Sequence, residues 1–134
     1  MVFWVEFNMA LRSDLGRVRG LGSAKDGTSH WWAQRVTAVA LIPLSIWFVF
    51  SVIHLLGIDR VGLKTWLNAP GSFVLMALFS IALFYHMQLG VQVVIEDYVH
   101  NMKNKVVLLV FNKLLAVFLV VSSITALMKI AFGG

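Results

Sequence analysis

The chain has 134 residues, 60% of them hydrophobic and only 13% charged, with a mean hydropathy of +0.86, a balance that excludes an ordinary water-soluble domain, whose helices must each keep a polar face. The formal net charge of +5 does not point to nucleic acid, because five of the eleven basic residues (Arg12, Arg17, Arg19, Lys25 and Arg35) precede or open the first long apolar run, where they act as a topology signal and attract anionic lipid headgroups. Cysteine is absent, which excludes disulfides, thiolate metal sites, iron–sulfur ligation and cysteine nucleophiles within this chain.

Residues 1–10 are apolar but few, contain Glu6 and Asn8, and have no basic segment before them, so a cleaved signal peptide is not expected. Residues 11–29 mix Gly16, Gly20, Gly22 and Gly27 with arginines and read as an irregular segment lying on the cytoplasmic surface or against a partner. The domain reading is therefore an N-terminal cytoplasmic-side segment, 1–30, followed by a transmembrane anchor domain, 31–134. The first apolar run covers about 32–56, with Trp31 and Trp32 in the aromatic belt, Arg35 in its opening turn and His54 near its end. The second covers about 73–95 and follows Pro70-Gly71-Ser72, with proline where a helix start tolerates it and Ser72 available as an N-cap. The third covers about 106–130 and holds Lys113 about two turns in, placed to snorkel or to face protein.

Each run exceeds the roughly 20 residues that cross a hydrocarbon core, so the expected fold class is an all-α membrane protein with three transmembrane helices. The basic residues before the first run outweigh Arg60 and Lys64 in the first loop, which puts the N-terminus on the cytoplasmic side. Lys103 and Lys105 bring the second loop back to that side, and Lys129 stands near the other end. The sequence has no internal repeat, phosphate-binding glycine loop or hydrolytic triad.

An ionisable group inside a membrane helix is costly, and it is usually paired and often functional. His86 is the clearest case, slightly past the middle of the second run toward its cytoplasmic end. Gly90, Val93 and Asp97 follow it at offsets that return to nearly one face at about 100° per residue, and that stripe is expected to look into the bundle. Gly90 leaves room beside the imidazole for a flat cofactor or a closely packed helix, and Asp97 and Tyr98 come roughly 16 to 18 Å further along the axis, at the interface. Neutral imidazole is a good axial iron ligand, and an apolar bundle is a dry pocket for a porphyrin. A quinone needs hydrogen-bond donors for its carbonyls and protons on reduction, which Tyr98 and Asp97 are equipped to supply or orient. On spacing alone, however, His86 reads equally as a haem ligand and as a helix–helix hydrogen-bond group, and Asp97-Tyr98 reads first as an interfacial anchor. Arg35 alone follows from topology, and His54 and His100, near interfaces, receive no chemistry.

The segment His86-Met-Gln-Leu-Gly90-Val-Gln-Val-Val-Ile-Glu-Asp97-Tyr98 resembles the second helix of the smaller, D-type membrane anchor of succinate dehydrogenase, respiratory complex II. Trp31-Trp32-Ala-Gln-Arg35-Val-Thr-Ala-Val-Ala is similar to the start of that family's first helix, and the pattern of the larger, C-type anchor is not found. The resemblance spans residues 30–130 and is most specific in the second helix. It implies that the three helices pack with a larger membrane anchor subunit, and that flavoprotein and iron–sulfur subunits complete the complex. It implies that His86 is one axial ligand of a b-type haem shared with the larger anchor, and that Arg35 lies near a haem propionate. Tyr98 would hydrogen-bond a ubiquinone carbonyl, and Asp97 would support that site through an arginine of the partner chain. His30 falls close to a position where some relatives have a propionate-contacting histidine. The implied location is a bacterial inner membrane or a mitochondrial inner membrane, with the N-terminus on the cytoplasmic or matrix side.

On this reading the chain is an electron-transfer subunit without a dehydrogenase active site of its own, for it has no nucleotide-binding pattern. The alternative is a haem-free structural anchor of a respiratory complex. A small transporter or channel is a third class, but it calls for polar residues at mid-depth in several spans or for broken helices, and only Pro43 and Lys113 lean that way.

Overall fold

The computed structural model describes residues 21–133, all of whose regular structure is helical. Expectations for residues 1–20 lie outside the described residues. Four helices follow one another: α1 (Leu21–Leu55), α2 (Arg60–Asn68), α3 (Pro70–Tyr98) and α4 (Met102–Phe132). Three of them contain segments long and apolar enough to cross a membrane, Thr28–Leu55, Pro70–Tyr98 and Met102–Phe132. The chain clusters into two compact units, one up to Ala33 and one from Gln34 onward.

The segment 21–29, read from its glycines as irregular, is helical. Once a long helix exists, each residue added to its end gains a hydrogen bond without a new nucleation cost, and glycine subtracts only about 1 kcal/mol. In the first unit the rings of Trp31 and Trp32 meet edge to face at 5.2 Å. Pro43 lies inside α1; it has no N–H to offer the carbonyl one turn back, a loss that membrane helices accommodate.

From Gln34 onward the helices fold back and forth. Gly57, with φ +79°, lets the backbone leave α1 in the left-handed region that a side chain would disfavour. Asp59 then caps α2, its carboxylate accepting from the Gly62 N–H at 2.9 Å. This short helix occupies what read as a plain loop. It places Leu67 in the interior, stacks Trp66 on Trp47 at 5.9 Å, and lets the Lys64 ammonium donate to the Gly133 carbonyl at 2.9 Å. The second span starts at Pro70 with Ala69 as its N-cap residue, and no side chain caps it. Ser72 is therefore not the cap: proline at the first helical position has no N–H to satisfy and already has helical φ, so the helix begins two residues before the serine. Asn101 caps α4 by accepting from Lys103 N and Asn104 N at 3.0 and 3.4 Å.

α3 and α4, joined by three residues, are the most extensively paired helices. The buried residues of the pair include Gln88, Leu89 and Ile95 of α3 and Asn112 and Ala116 of α4; Asn112 meets Gln88 across the interface, and Phe73 meets Phe132 at 5.6 Å at the other end. α1 reaches α3 through Phe48 stacked on Phe79 at 4.5 Å and through a polar contact one side chain deep.

Candidate functional site

That polar contact is the centre of the site. Thr37 of α1 and His86 of α3, separated by 49 positions in the chain, approach with Oγ1 and Nδ1 2.9 Å apart. The threonine hydroxyl donates its single proton to the Gln34 carbonyl at 3.0 Å, so its oxygen is left to accept, and the imidazole nitrogen facing it is the donor. A neutral imidazole carries only one proton, and with Nδ1 protonated the Nε2 lone pair is available to a ligand. Nε2 makes no hydrogen bond among the described residues. One turn further, a Cβ built on Gly90 would meet nothing within 4 Å, so the helix surface beside the imidazole is bare, as its lack of a side chain suggests.

The stripe that begins with His86, expected to look into the bundle, meets α1 at the histidine. His86, Gly90 and Val93 are half-buried and Asp97 is exposed, whereas the fully buried residues of α3 are Gln88, Leu89 and Ile95. The physical reason is the buried amide of Asn112, whose Nδ2 donates to the Gln88 carbonyl at 2.9 Å. Satisfying that amide orients α3 and leaves the histidine side for α1. Asp97 and Tyr98 occupy the last turn of α3, with Tyr98 77% exposed, a position open to a quinone or to a second protein chain. Arg35 is exposed and two residues from Thr37, hence about 200° around α1 from it. The imidazole Nε2 of His30 is buried without a hydrogen-bond partner among the described residues. His54 and His100 are exposed at helix ends, and Lys113 is exposed on α4, so it does not face protein within this chain.

Two sets of residues lack any signal in motif or hydropathy. Thr37 lies in an apolar run and reads as helix filler. Gln88, Gln92 and Glu96 form an i, i+4 ladder along α3, with Gln88 donating to Gln92 and Gln92 to Glu96, both at 3.0 Å. Their spacing on one face is visible in the sequence, but the approach of Asn112 to the Gln88 backbone carbonyl is not.

The donor set suits one axial position of a haem. It offers an imidazole with its outer nitrogen unengaged, a hydrogen-bonded inner nitrogen and an open glycine surface. It equally suits a helix-packing histidine already satisfied on one side.

A family model described as Succinate dehydrogenase/Fumarate reductase transmembrane subunit matches residues 9–127. The chain belongs to that family. Members are transmembrane anchor subunits, and the chain is accordingly one part of an oxidoreductase complex. The succinate dehydrogenase hydrophobic membrane anchor subunit of Rickettsia bellii (strain RML369-C) is 34% identical over 86% of this chain and 92% of its own length. The subunit of the same name from Paracoccus denitrificans is 31% identical over 85% and 88%. The succinate dehydrogenase membrane anchor subunit of Reclinomonas americana is 31% identical over 69% and 80%. No solved structure matches the chain.

Proposed function

We propose that this succinate dehydrogenase anchor subunit shares a b-type haem and a ubiquinone site with a larger membrane anchor subunit, and so helps pass electrons from succinate oxidation to ubiquinone. The observation that carries the reading is the His86 ring, tethered at Nδ1 by Thr37 and unengaged at Nε2. The succinate dehydrogenase names of its relatives support the substrate of the complex. His86 supplies one axial nitrogen. The second comes from the larger anchor, because His54 lies 17 residues beyond Thr37 on α1, about 26 Å along the helix from the level of His86. A haem held there supplies one-electron transfer. Arg35 neutralises propionate charge at the membrane surface. Tyr98 donates its hydroxyl to a quinone carbonyl, and Asp97 orients an arginine of the larger anchor beside it. Oxidation of succinate itself belongs to water-soluble flavoprotein and iron–sulfur subunits. The complex resides in a bacterial inner or mitochondrial inner membrane, with the N-terminus of this chain on the cytoplasmic or matrix side.

The second reading, a haem-free structural anchor, draws on the same contact: a histidine bonded to a neighbouring helix at 2.9 Å is already a packing element. The two readings separate in His86→Ala. If His86 is a ligand, the purified complex loses its low-spin b-type absorption or shows a high-spin form, because one coordination position is vacated. Low-spin bands at full wild-type intensity in the reduced-minus-oxidised spectrum would leave His86 as a packing group.

A further inference from the structure

The haem reading of His86 leaves Thr37 without a role, yet among the described residues this hydroxyl is the group hydrogen-bonded to the ring's inner nitrogen. We infer that Thr37 is a positioning residue that holds His86 in the Nδ1-protonated tautomer and fixes the ring plane, so that Nε2 is presented as the haem ligand. This inference rests on the haem reading and adds a residue to it.

The argument begins with proton counting. A threonine in a helix commonly turns its hydroxyl back to a carbonyl of the preceding turn, and Thr37 does so, donating to Gln34 at 3.0 Å. That bond uses the hydroxyl's only proton and points a lone pair outward. The inner nitrogen of His86 stands 2.9 Å away, and two acceptors at that distance would repel, so the nitrogen carries the hydrogen. In a ring without such an acceptor, either nitrogen can hold the proton, and ligation must first remove it from Nε2. With Thr37 in place, the required tautomer exists before the metal arrives. A hydrogen bond donated by the far nitrogen also makes the ligating nitrogen more basic, and such outer partners are typically worth 10 to 100-fold in metal affinity.

The position of Thr37 does not depend on its bond to the histidine. Phe48, further along α1, stacks on Phe79 of α3 with ring centres 4.5 Å apart and planes within 13°. The half-buried Ala38 and Ala40 flank Thr37 closely and keep bulk away from the helix contact. Apolar packing thus brings α1 to α3, and the hydroxyl is delivered to the ring with it. Gln34 completes the arrangement only through its backbone carbonyl, so its side chain is not required.

The test compares Thr37→Val, Thr37→Ser and His86→Ala in the whole purified complex. Valine keeps the shape and removes the hydroxyl; serine keeps the hydroxyl and removes a methyl. Two quantities are read in addition to turnover: the rate at which haem passes to excess apomyoglobin, and the midpoint potential by spectroelectrochemistry. Thr37→Val should lose haem about 10 to 100-fold faster, with a potential above wild type because a less basic ligand favours the oxidised iron less. Thr37→Ser should match wild type in both. Wild-type haem retention and potential in Thr37→Val, alongside loss of the low-spin bands in His86→Ala, would overturn the role of Thr37 and leave the haem reading standing. Retained low-spin bands in His86→Ala would overturn both. Should Thr37→Val fail to assemble, an experimental map of the wild-type complex decides: Oγ1 and Nδ1 within hydrogen-bond distance upholds the inference, and a separation beyond 3.5 Å overturns it.

Discussion

Tyr98 and His86 occupy one helix but opposite environments, and their chemistry follows from that difference. His86 is half-buried and held by a neighbouring helix, whereas Tyr98 is 77% exposed in the last turn of α3. A phenol at such a place has an apolar ring for the membrane boundary and a hydroxyl able to reach a carbonyl there. Tyr98→Phe removes the hydroxyl and keeps the ring. On the proposed function it should slow quinone reduction by roughly tenfold or more, the scale of one polarised hydrogen bond. Succinate oxidation through a soluble artificial acceptor should stay near wild type, because that route bypasses the membrane site. Asp97→Asn removes the charge that orients a partner arginine and should follow the same pattern. Steady-state assays with both acceptors check this, and unchanged quinone kinetics in both variants would remove the pair from the site.

At the level of elements, the α3–α4 hairpin is the best-paired part of the chain, and its interior is partly polar. Asn112 is 7% exposed and Gln88 6%, so the bond from Asn112 Nδ2 to the Gln88 carbonyl is shielded from any competing donor. In a membrane, however, a released amide finds other partners, and interhelical hydrogen bonds average only about 0.6 kcal/mol with a maximum near 1.7. Asn112→Ala is accordingly expected to destabilise the hairpin by about 1 to 2 kcal/mol once lost packing is included, lowering the thermal midpoint of the detergent-solubilised complex. Thr125→Val is the contrast. Thr125 is exposed and bonds only to Val121 of its own helix at 2.8 Å, so its replacement should leave the midpoint unchanged. Equal effects of the two substitutions would show that the Asn112 bond does not organise the pair. The ring stack of Phe48 on Phe79 ties α1 to the hairpin and that of Trp47 on Trp66 ties it to α2, both by apolar contact, a weaker and less directional link.

For the whole molecule, the decisive quantity is how little of the apolar surface this chain covers for itself. Only 6 to 11% of the most apolar stretch of each span is buried, against the close packing of a finished protein interior. Lipid and other subunits must cover the rest, as membership in a family of anchor subunits requires. Topology is a property at this scale too. On the proposed function, the basic residues 12, 17, 19, 25 and 35 are expected to keep the N-terminal flank on the cytoplasmic or matrix side. Because the chain has no cysteine, single variants Ser23→Cys and Ser72→Cys give clean reporters. A membrane-impermeant maleimide should label Ser23→Cys from the cytoplasmic or matrix side only, and Ser72→Cys from the opposite side only. Labelling of Ser23→Cys from outside in intact cells would reverse the orientation.

Hydropathy and length were enough to determine three spans, to within a few residues of Thr28–Leu55, Pro70–Tyr98 and Met102–Phe132, because transfer from water to hydrocarbon is a local sum over about twenty consecutive side chains. The motif of His86, Gly90, Asp97 and Tyr98 was likewise legible, and with it the family. The short helix α2 escaped because its apolar stripe runs over only nine residues, too short a window to stand out from a loop. What only the tertiary structure decided is rotation about the helix axes. In water an amphipathic stripe marks the inner face of a helix, but lipid is apolar on every side and makes no such mark. Pairings that are distant in the chain, Asn112 with the Gln88 carbonyl and Thr37 with His86, bring the Gln88 backbone to α4 and the histidine to α1.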